Sequence, residues 1–250
     1  MSSILKVDEI QDTSGNNIIN ENANTVTIGK AGDTVNVVGT LQSNGTAVPT
    51  VSGGLVSQQV FTSSGTWTKP SGINLVKVYV TGGGAGGGWS GNTANYSGGG
   101  GGAGGTAIEI IDVSSVSSVA VTVSGTAAGG NSVDFPQGGG TSSFGSYCSA
   151  SGGTRGNYGG GLASEATGGV GSNGDINLKG GDGQGGSEVN AYNTAGKGGD
   201  SFWSGGGCGD FNNNGLPGTN GSGGGGGQNA TAARDGGQGG AGIVVVEEYK

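Results

Sequence analysis

The sequence has no histidine, two cysteines and four prolines among its 250 residues, and 10% of its residues are charged. Without histidine, the chain lacks the commonest general base and the commonest transition-metal ligand. Two cysteines do not make a disulfide framework; Cys148 and Cys208 could pair or remain free, and we expect free, buried thiols. The sequence therefore predicts neither a bound metal nor a cofactor.

Long apolar runs and a basic charge balance are also missing. No uninterrupted apolar run approaches the roughly 18 residues of a membrane-spanning helix, and the N-terminus lacks the basic-then-apolar layout of a signal peptide. The formal net charge is −8 and the isoelectric point is near 4.3. Because nucleic acids and anionic membranes bind basic surfaces, this charge argues against both as partners.

Glycine is present in excess, with 65 copies, most of them between Gly82 and Gly240. The glycines cluster in runs, at 82–88, 98–105 and 223–227, instead of recurring at every third position. This clustering, together with the scarcity of proline, excludes collagen. Ordering a glycine costs about 0.5–1 kcal/mol more than ordering an alanine, so an ordered stretch must regain this free energy through hydrogen bonds and burial.

Three interpretations of the glycine-rich stretch remain. It could be a disordered linker, a lattice of three-residue helices that hydrogen-bond sideways, or a set of long loops on a β scaffold. Aromatic side chains along the stretch argue against a linker, which has no use for them. Polar residues interrupt the glycine runs, and uniform glycine blocks are short. We therefore favour long glycine loops on a β scaffold, and the sequence leaves open whether the tracts form a regular lattice.

Alternating apolar residues predict β-strands on both sides of the glycine-rich stretch. The segment INLVKVYV places Val76, Val78 and Val80 on one face, and SVAVTVS (118–124) alternates in the same way. The last ten residues, AGIVVVEEYK, form the most apolar strand, and nowhere does a helical period of 3.6 persist. The predicted fold is all-β: a glycine-rich β-sandwich with long Gly loops over 57–250, in which the first and last strands are neighbours.

Residues 1–56 predict a separate N-terminal domain of short strands. These include 25–29 and 34–41, and Asn44-Gly45 is a favourable two-residue hairpin turn. Each strand offers few apolar residues, which is too little for an independent core at this length. We therefore expect identical strands from several chains to share one intertwined oligomeric core.

Two passages resemble the glycine-rich domain of bacteriophage tail fibres. VFTSSGTWTKPSGINLVKVYVTGGGAGGG is similar to the opening of that domain, and GGQGGAGIVVVEEY is similar to its closing strand. The N-terminal ILKVDEIQDTSGNNIIN and TLQSNGTAV resemble strand-and-turn segments of phage fibre and virion-appendage proteins. The combination of a Trp-Thr-x-Pro opening with a glycine-rich exit is more specific than glycine richness alone.

The resemblance implies a homotrimer located in the virion, on the tail, and assembled in the host cytoplasm. The N-terminal segment would form the trimeric core and dock on other phage tail or virion proteins. The distal glycine-rich domain would bind a host surface glycan or an outer-membrane protein. The alternative is a structural virion appendage or adaptor, such as a head fibre or tail-tip decoration, without receptor binding.

Aromatic residues in the glycine-rich stretch are the candidate receptor-binding residues, because exposed rings give large contact area at low entropy cost. The alternative is that the rings pack against glycine backbone as a small core, which we expect for Trp203 beside Phe202. The candidate receptor-binding residues are Trp89, Tyr96, Tyr158, Tyr192 and Phe211.

The sequence does not predict an enzyme. A glycosidase needs two carboxylates that flank a cleft, and the candidates each lie in a polar, glycine-rich setting without a local signature. Solvated surface charge explains them better, so no catalytic residue is predicted. The carboxylates concerned are Glu165, Asp175, Glu188 and Asp210.

Overall fold

A computed structural model describes most of the chain from residue 54 onward. The described residues are 54–92, 96–159, 164–187, 194–209, 212–229 and 232–250, together with the backbone of β1 (Gln42–Ser43) and β2 (Thr46–Ala47). The chain divides into two units, Met1–Val51 and Ser52–Lys250. The strands predicted at 25–29 and 34–41, and the shared core, lie outside the described residues.

The first unit contributes one described feature, a short hairpin. β1 pairs antiparallel with β2, and Ser43 lies opposite Thr46. The strands flank Asn44-Gly45, where the sequence predicts a two-residue turn. Those two residues lie outside the described ones, so the turn stays a prediction.

The second unit contains two five-stranded antiparallel sheets. The first has the order β11-β6-β5-β12-β3 and the second has the order β10-β9-β8-β7-β4. The described residues contain no α-helix, which confirms the all-β prediction, and hence no helix long and apolar enough to cross a membrane. The strands are β3 (Leu55–Phe61), β4 (Gly65–Thr68), β5 (Leu75–Thr81), β6 (Thr106–Asp112), β7 (Ser118–Thr122), β8 (Ser142–Phe144), β9 (Cys148–Ala150), β10 (Gly171–Ser172), β11 (Ile176–Leu178) and β12 (Ile243–Tyr249).

Alternate residues of these strands build one apolar core. Val76, Val78 and Val80 are fully buried, as predicted, and Leu75 on the opposite face is exposed. The aromatic centre of the core is formed by Trp67 and by a phenylalanine from the second sheet, Phe144, with ring centroids 5.8 Å apart.

The last strand completes the first sheet. β12 lies between β5 and β3 and pairs antiparallel with both. The predicted neighbourhood of the first and last strands of the domain is therefore confirmed. Burial of the apolar residues of β12, such as Val244 and Val246, explains why this strand is the most apolar segment of the chain.

A buried carboxylate links the opening and closing segments of the domain. Glu248 of β12 is 1% exposed. Its Oε1 atom accepts hydrogen bonds from Trp67 Nε1 and from Gln59 Nε2, both at 2.7 Å, and Ser57 Oγ donates to its other oxygen. Because burial of an unpaired carboxylate is costly, these donors must be in place together, so they fix Trp67 against β12.

The glycine-rich stretch is ordered as backbone segments that hydrogen-bond sideways. Tract 1 (82–90) continues from β5, and tract 2 (97–105) leads back into β6. Every third N–H group of tract 1, beginning with Gly82, donates to tract 2 at 2.7–3.0 Å. The N–H groups in between donate in turn to the segments 137–140 and 237–240. The segment that accepts the hydrogen bond thus repeats every three residues along tract 1. This is the period of a polyproline II helix, which has no internal hydrogen bonds.

Tract 2 is the centre of this lattice. Every N–H group from Gly98 to Gly105 donates to a backbone carbonyl at 2.8–3.0 Å. The accepting segments are 151–159, 179–187 and tract 3 (221–229). The carbonyl groups of tract 2 accept from three other segments: tract 1, 164–170 and 194–200. One helix with six neighbours, three accepting and three donating, is a hexagonal arrangement.

The strand pairing of the sandwich continues into the lattice without a change of register. Thr81 of β5 lies opposite Thr106 of β6, with their hydroxyl oxygens 2.8 Å apart. The next pair, Gly82 and Gly105, is joined by a backbone hydrogen bond of 3.0 Å. The sheet therefore sets the register in which the tracts pair.

The glycine-rich segments between the strands are long, as predicted, and they also hydrogen-bond in a regular lattice, which the sequence did not favour. The polar residues that interrupt the outer segments face solvent, and side chains three residues apart lie on the same side. Lys179 bonds to Asp182 at 2.7 Å and Lys197 bonds to Asp200 at 2.6 Å. These lysine hydrogen bonds hold the pKa of both aspartates below the ordinary value. Glycine segments that are interrupted by polar residues thus form the outer layer of the lattice.

The interior tracts need glycine because neighbouring backbones approach too closely for a side chain. A Cβ atom at Gly101 would lie 2.2 Å from the carbonyl oxygen of Ala85, and one at Gly223 would lie 1.9 Å from that of Gly101. Tracts 1, 2 and 3 contain the runs 82–88, 98–105 and 223–227, and these runs are buried throughout. Two methyl groups do fit inside, at Ala85 and Ala103.

Both cysteines are free. Cys148 is buried in the sandwich core, as expected, and burial raises the pKa of its thiol to about 12. Cys208 is exposed, which corrects the expectation of two buried thiols.

The lattice predicts opposite effects for two glycine-to-alanine substitutions. Gly101→Ala forces two backbones apart and should lower the free energy of unfolding by about 1–3 kcal/mol or more, the usual cost of overpacking. The control is Gly125→Ala, since a Cβ there meets nothing within 4 Å; it should be neutral or stabilise by about 0.4–1 kcal/mol. Denaturant unfolding measures both, and an equal effect at the two sites would contradict the lattice.

The Trp67–Glu248 hydrogen bond predicts a difference in stability between two Trp-to-Phe variants. Trp67→Phe removes a buried donor from the carboxylate and should cost about 1–3 kcal/mol beyond the lost packing. Trp203→Phe is the control, because it removes a comparable indole hydrogen bond, from Nε1 to Thr81 Oγ1 at 2.9 Å, at a site that is 37% exposed to water. Thermal unfolding that showed equal losses for both variants would argue against a special role of the buried bond.

Candidate functional site

The lattice has a distal end, opposite the sandwich. Tract 1 leaves β5 and tract 2 returns to β6, so the described ends of the connection between them, Gly91 and Tyr96, lie at the end remote from the sheets. The connection 130–136 lies at the same end, because Gly130 donates to the carbonyl of Gly87 at 2.9 Å. The candidate site lies at this distal end of the lattice.

Three aromatic rings cluster at this distal end. Trp89 and Tyr158 are stacked, with ring centroids 6.2 Å apart and planes 16° from parallel. Phe135 meets Tyr158 edge-on, with a centroid distance of 5.9 Å. Trp89 is half-buried, whereas Tyr158 is 50% exposed and Phe135 is 65% exposed. Such a concentration of exposed rings is a surface feature and not part of the core.

Backbone hydrogen bonds of the lattice position the stacked rings. The segment 151–159 runs alongside tract 1, and Gly156 donates to the carbonyl of Gly86 at 2.9 Å. Gly159 donates to the carbonyl of Trp89 at 2.7 Å. These bonds hold the backbones that carry Trp89 and Tyr158 side by side, so the rings are stacked by the scaffold.

A turn in the connection 130–136 positions the third ring. Asn131 Oδ1 accepts hydrogen bonds from the N–H groups of Val133, at 2.7 Å, and Asp134, at 2.8 Å. The N–H group of Asn131 donates to the carbonyl of Asp134 at 3.0 Å. This local bonding is the usual role of an asparagine side chain in a turn, and it places Phe135 next to the Trp89–Tyr158 stack.

The rings and the turn enclose a cleft of about 200 Å³, lined by 131–135 together with Trp89 and Tyr158. Its polar groups include the side chains of Asn131, Ser132 and Asp134. The guanidinium carbon of Arg155 lies 5.5 Å from the centroid of Phe135, a cation–π distance. The cleft therefore combines aromatic faces with a carboxylate, an amide and a hydroxyl group.

The structure brings together two of the five candidate receptor-binding residues. Trp89 and Tyr158 form the stack, whereas Tyr96 lies in the connection 91–96, near Gly91. Tyr192 and Phe211 lie outside the described residues. Their participation in binding stays a prediction.

Sequence reasoning missed Phe135. Its signal was the segment NSVDFP (131–136), which places an aromatic residue among turn-forming Asn, Ser, Asp and Pro between two glycine runs. The contact of Phe135 with Tyr158 spans 23 positions of sequence and depends on the lattice, so the segment alone did not identify the cluster.

Trp203 does not lie in a core, contrary to the expectation. Phe202 and Trp203 are 48% and 37% exposed, and both rest on Tyr79, on the outer face of β5. The inner face of β5 is already filled by its valines, so the rings cover the outer face.

The carboxylates considered for catalysis are dispersed or outside the described residues. Asp175 lies in the turn between β10 and β11, where its Oδ2 atom accepts from the N–H of Ile110 at 3.0 Å. Glu165 lies on the segment 164–170 of the lattice. Glu188 and Asp210 fall outside the described residues, which hold no group of three or more acidic or cysteine side chains suited to a metal ion.

The aromatic cluster predicts a contrast in stability. Because Tyr158 is half exposed, Tyr158→Ala should change the free energy of unfolding by about 1 kcal/mol or less. Phe144→Ala, in the core, should cost about 3–5 kcal/mol. Denaturant unfolding compares the two, and a loss at Tyr158 as large as that at Phe144 would show that the cluster is a structural core.

Comparison with known proteins identifies the family of the chain. No curated protein matches the chain. The family model of the glycine-rich domain matches residues 58–249, which is more than half of the chain. The match begins within β3 and ends at the last residue of β12, so it spans both sheets and the lattice between them. The chain therefore belongs to the glycine-rich domain family.

Proposed function

We propose that the chain is a phage tail-fibre protein whose distal lattice end binds a receptor on the host cell surface. The observation that carries this proposal is the cluster of Trp89, Phe135 and Tyr158 at the end remote from the sandwich. Membership of the glycine-rich domain family and the resemblance of the N-terminal segments to phage fibre proteins support it. The receptor is a surface glycan or an outer-membrane protein.

A rigid scaffold with exposed rings suits recognition. Trp and Tyr supply large contact areas with few rotatable bonds, so little entropy is lost when they bind. Here the lattice already holds the rings in place through the backbone bonds of Gly156 and Gly159. Binding then needs little reorganisation of the site.

The two ends of the domain differ in a way that fits a fibre attached at one end. β3, the first strand of the domain, lies in the sandwich, so the chain enters the domain opposite the distal connections. We propose that residues 1–56 form the core of a homotrimer and dock on other phage tail or virion proteins.

One observation favours the alternative of a structural virion appendage. Exposed apolar side chains lie on the outer face of the first sheet, among them Val60, Leu75, Ile110 and Ile176, each at least 40% exposed. Such a face suits contact with neighbouring proteins. If that contact were the main role of the domain, the distal rings would be dispensable.

Adsorption to cells separates these two functions. The purified full-length protein should adsorb to at least one strain of a bacterial panel, and the double variant Trp89→Ala, Tyr158→Ala should adsorb at least tenfold less. Tyr147→Ala is the matched control, since this half-exposed ring lies in the turn between β8 and β9 of the sandwich. Adsorption that is absent, or that survives loss of both distal rings, would favour the structural appendage.

A further inference from the structure

We propose that the distal cleft is a saccharide site that takes one neutral hexopyranose ring. This inference rests on the proposed receptor-binding function and names the chemical class of the ligand. The site consists of the rings of Trp89, Phe135 and Tyr158 together with the polar side chains of the turn at 131–134.

The aromatic geometry provides both a stacking surface and a wall. An aromatic ring has a negative face, which attracts the weakly positive C–H groups on one side of a pyranose. Tyr158 and Trp89 lie nearly parallel, whereas Phe135 stands at 75° to Tyr158. A sugar that stacks on one ring face is therefore bounded by a second ring at its edge.

The turn supplies the polar partners that a sugar needs. The carboxylate of Asp134 accepts hydrogen bonds from hydroxyl groups, and bonds to an ionised acceptor are stronger than neutral ones. Asn131 Oδ1 accepts from two backbone N–H groups, which fixes the carboxamide and leaves its NH₂ group as a donor. Carboxylate, amide and hydroxyl side chains thus line a cleft with aromatic walls.

Charge selects a neutral sugar over an acidic one. The chain has a net charge of −8, and the charged side chain that lines the cleft is the carboxylate of Asp134. Arg155, whose guanidinium carbon lies 5.5 Å from the centroid of Phe135, contacts that ring but does not line the cleft. An anionic saccharide would meet repulsion from Asp134 and from the acidic protein as a whole. Neutral hydroxyl groups meet no such repulsion and can donate to the carboxylate.

Size selects a single ring over a peptide. The cleft measures about 200 Å³, below the roughly 300–1,000 Å³ of sites for drug-sized ligands. A protein partner would need an interface of about 800 Å² per side, far larger than this cleft offers alone. One terminal sugar of a surface glycan is the ligand that best matches the space.

Titration of the intact protein with sugars tests the inference. The probes are four neutral disaccharides (lactose, maltose, mannobiose and chitobiose) and the anionic digalacturonate. Binding is measured from the indole N–H signals in nuclear magnetic resonance spectra of the protein. At least one neutral probe should shift the Trp89 signal saturably, and digalacturonate should bind at least tenfold more weakly. Trp89→Ala and Asp134→Asn should each weaken binding at least tenfold. Because Trp89→Ala removes the reporting indole, its binding is measured by saturation transfer from the protein to the sugar. Tyr147→Ala, the sandwich control, should leave it unchanged.

Two outcomes would overturn the saccharide site. One is the absence of saturable binding by every neutral probe, and the other is binding that survives both Trp89→Ala and Asp134→Asn in variants with wild-type melting temperatures.

Adsorption to treated cells separates failure of this inference from failure of the proposed function. Periodate oxidation of surface glycans should abolish adsorption, whereas protease treatment should not. Adsorption that survives periodate but is lost after protease would identify a protein receptor, which keeps the adhesin and rejects the saccharide site. If untreated cells do not adsorb the protein at all, the adhesin function itself fails.

Discussion

Sideways hydrogen bonding between backbones at very close approach is the constraint on which the rest of the domain depends. Six neighbouring segments form backbone hydrogen bonds with tract 2. No Cβ atom fits at positions such as Gly101 and Gly223. Glycine is normally costly to order. Here each ordered residue gains a backbone hydrogen bond and burial, so a chain with little apolar material forms a dense interior.

The sandwich makes this lattice possible, because it sets the register of the tracts. The pairing of Thr81 with Thr106 continues as the bond between Gly82 and Gly105. At the other end, the same tracts carry the rings that form the candidate site. Hydrogen-bonded segments with the three-residue period of a polyproline II helix thus connect the β-sheets to a distal cleft, with few side chains in between.

Alternation in the strands was sufficient to predict the all-β fold and the buried face of Val76, Val78 and Val80. The lattice was not predictable in the same way, because a run of glycines shows no period and its partners lie far away in sequence. Gly101, for example, donates to Gly224 and accepts from Gly199. The same reason explains why Trp89 and Tyr158 were candidates separately but not as a stacked pair.

Amide hydrogen exchange, resolved residue by residue, tests the lattice most directly. The lattice requires the N–H groups of tract 2, from Gly98 to Gly105, to be protected as strongly as those of the interior strand β12, because the tract residues are buried and their N–H groups are bonded. Exchange of these glycine amides at the rate of an unstructured chain, with β12 still protected, would show that the tracts are flexible loops and would contradict the account.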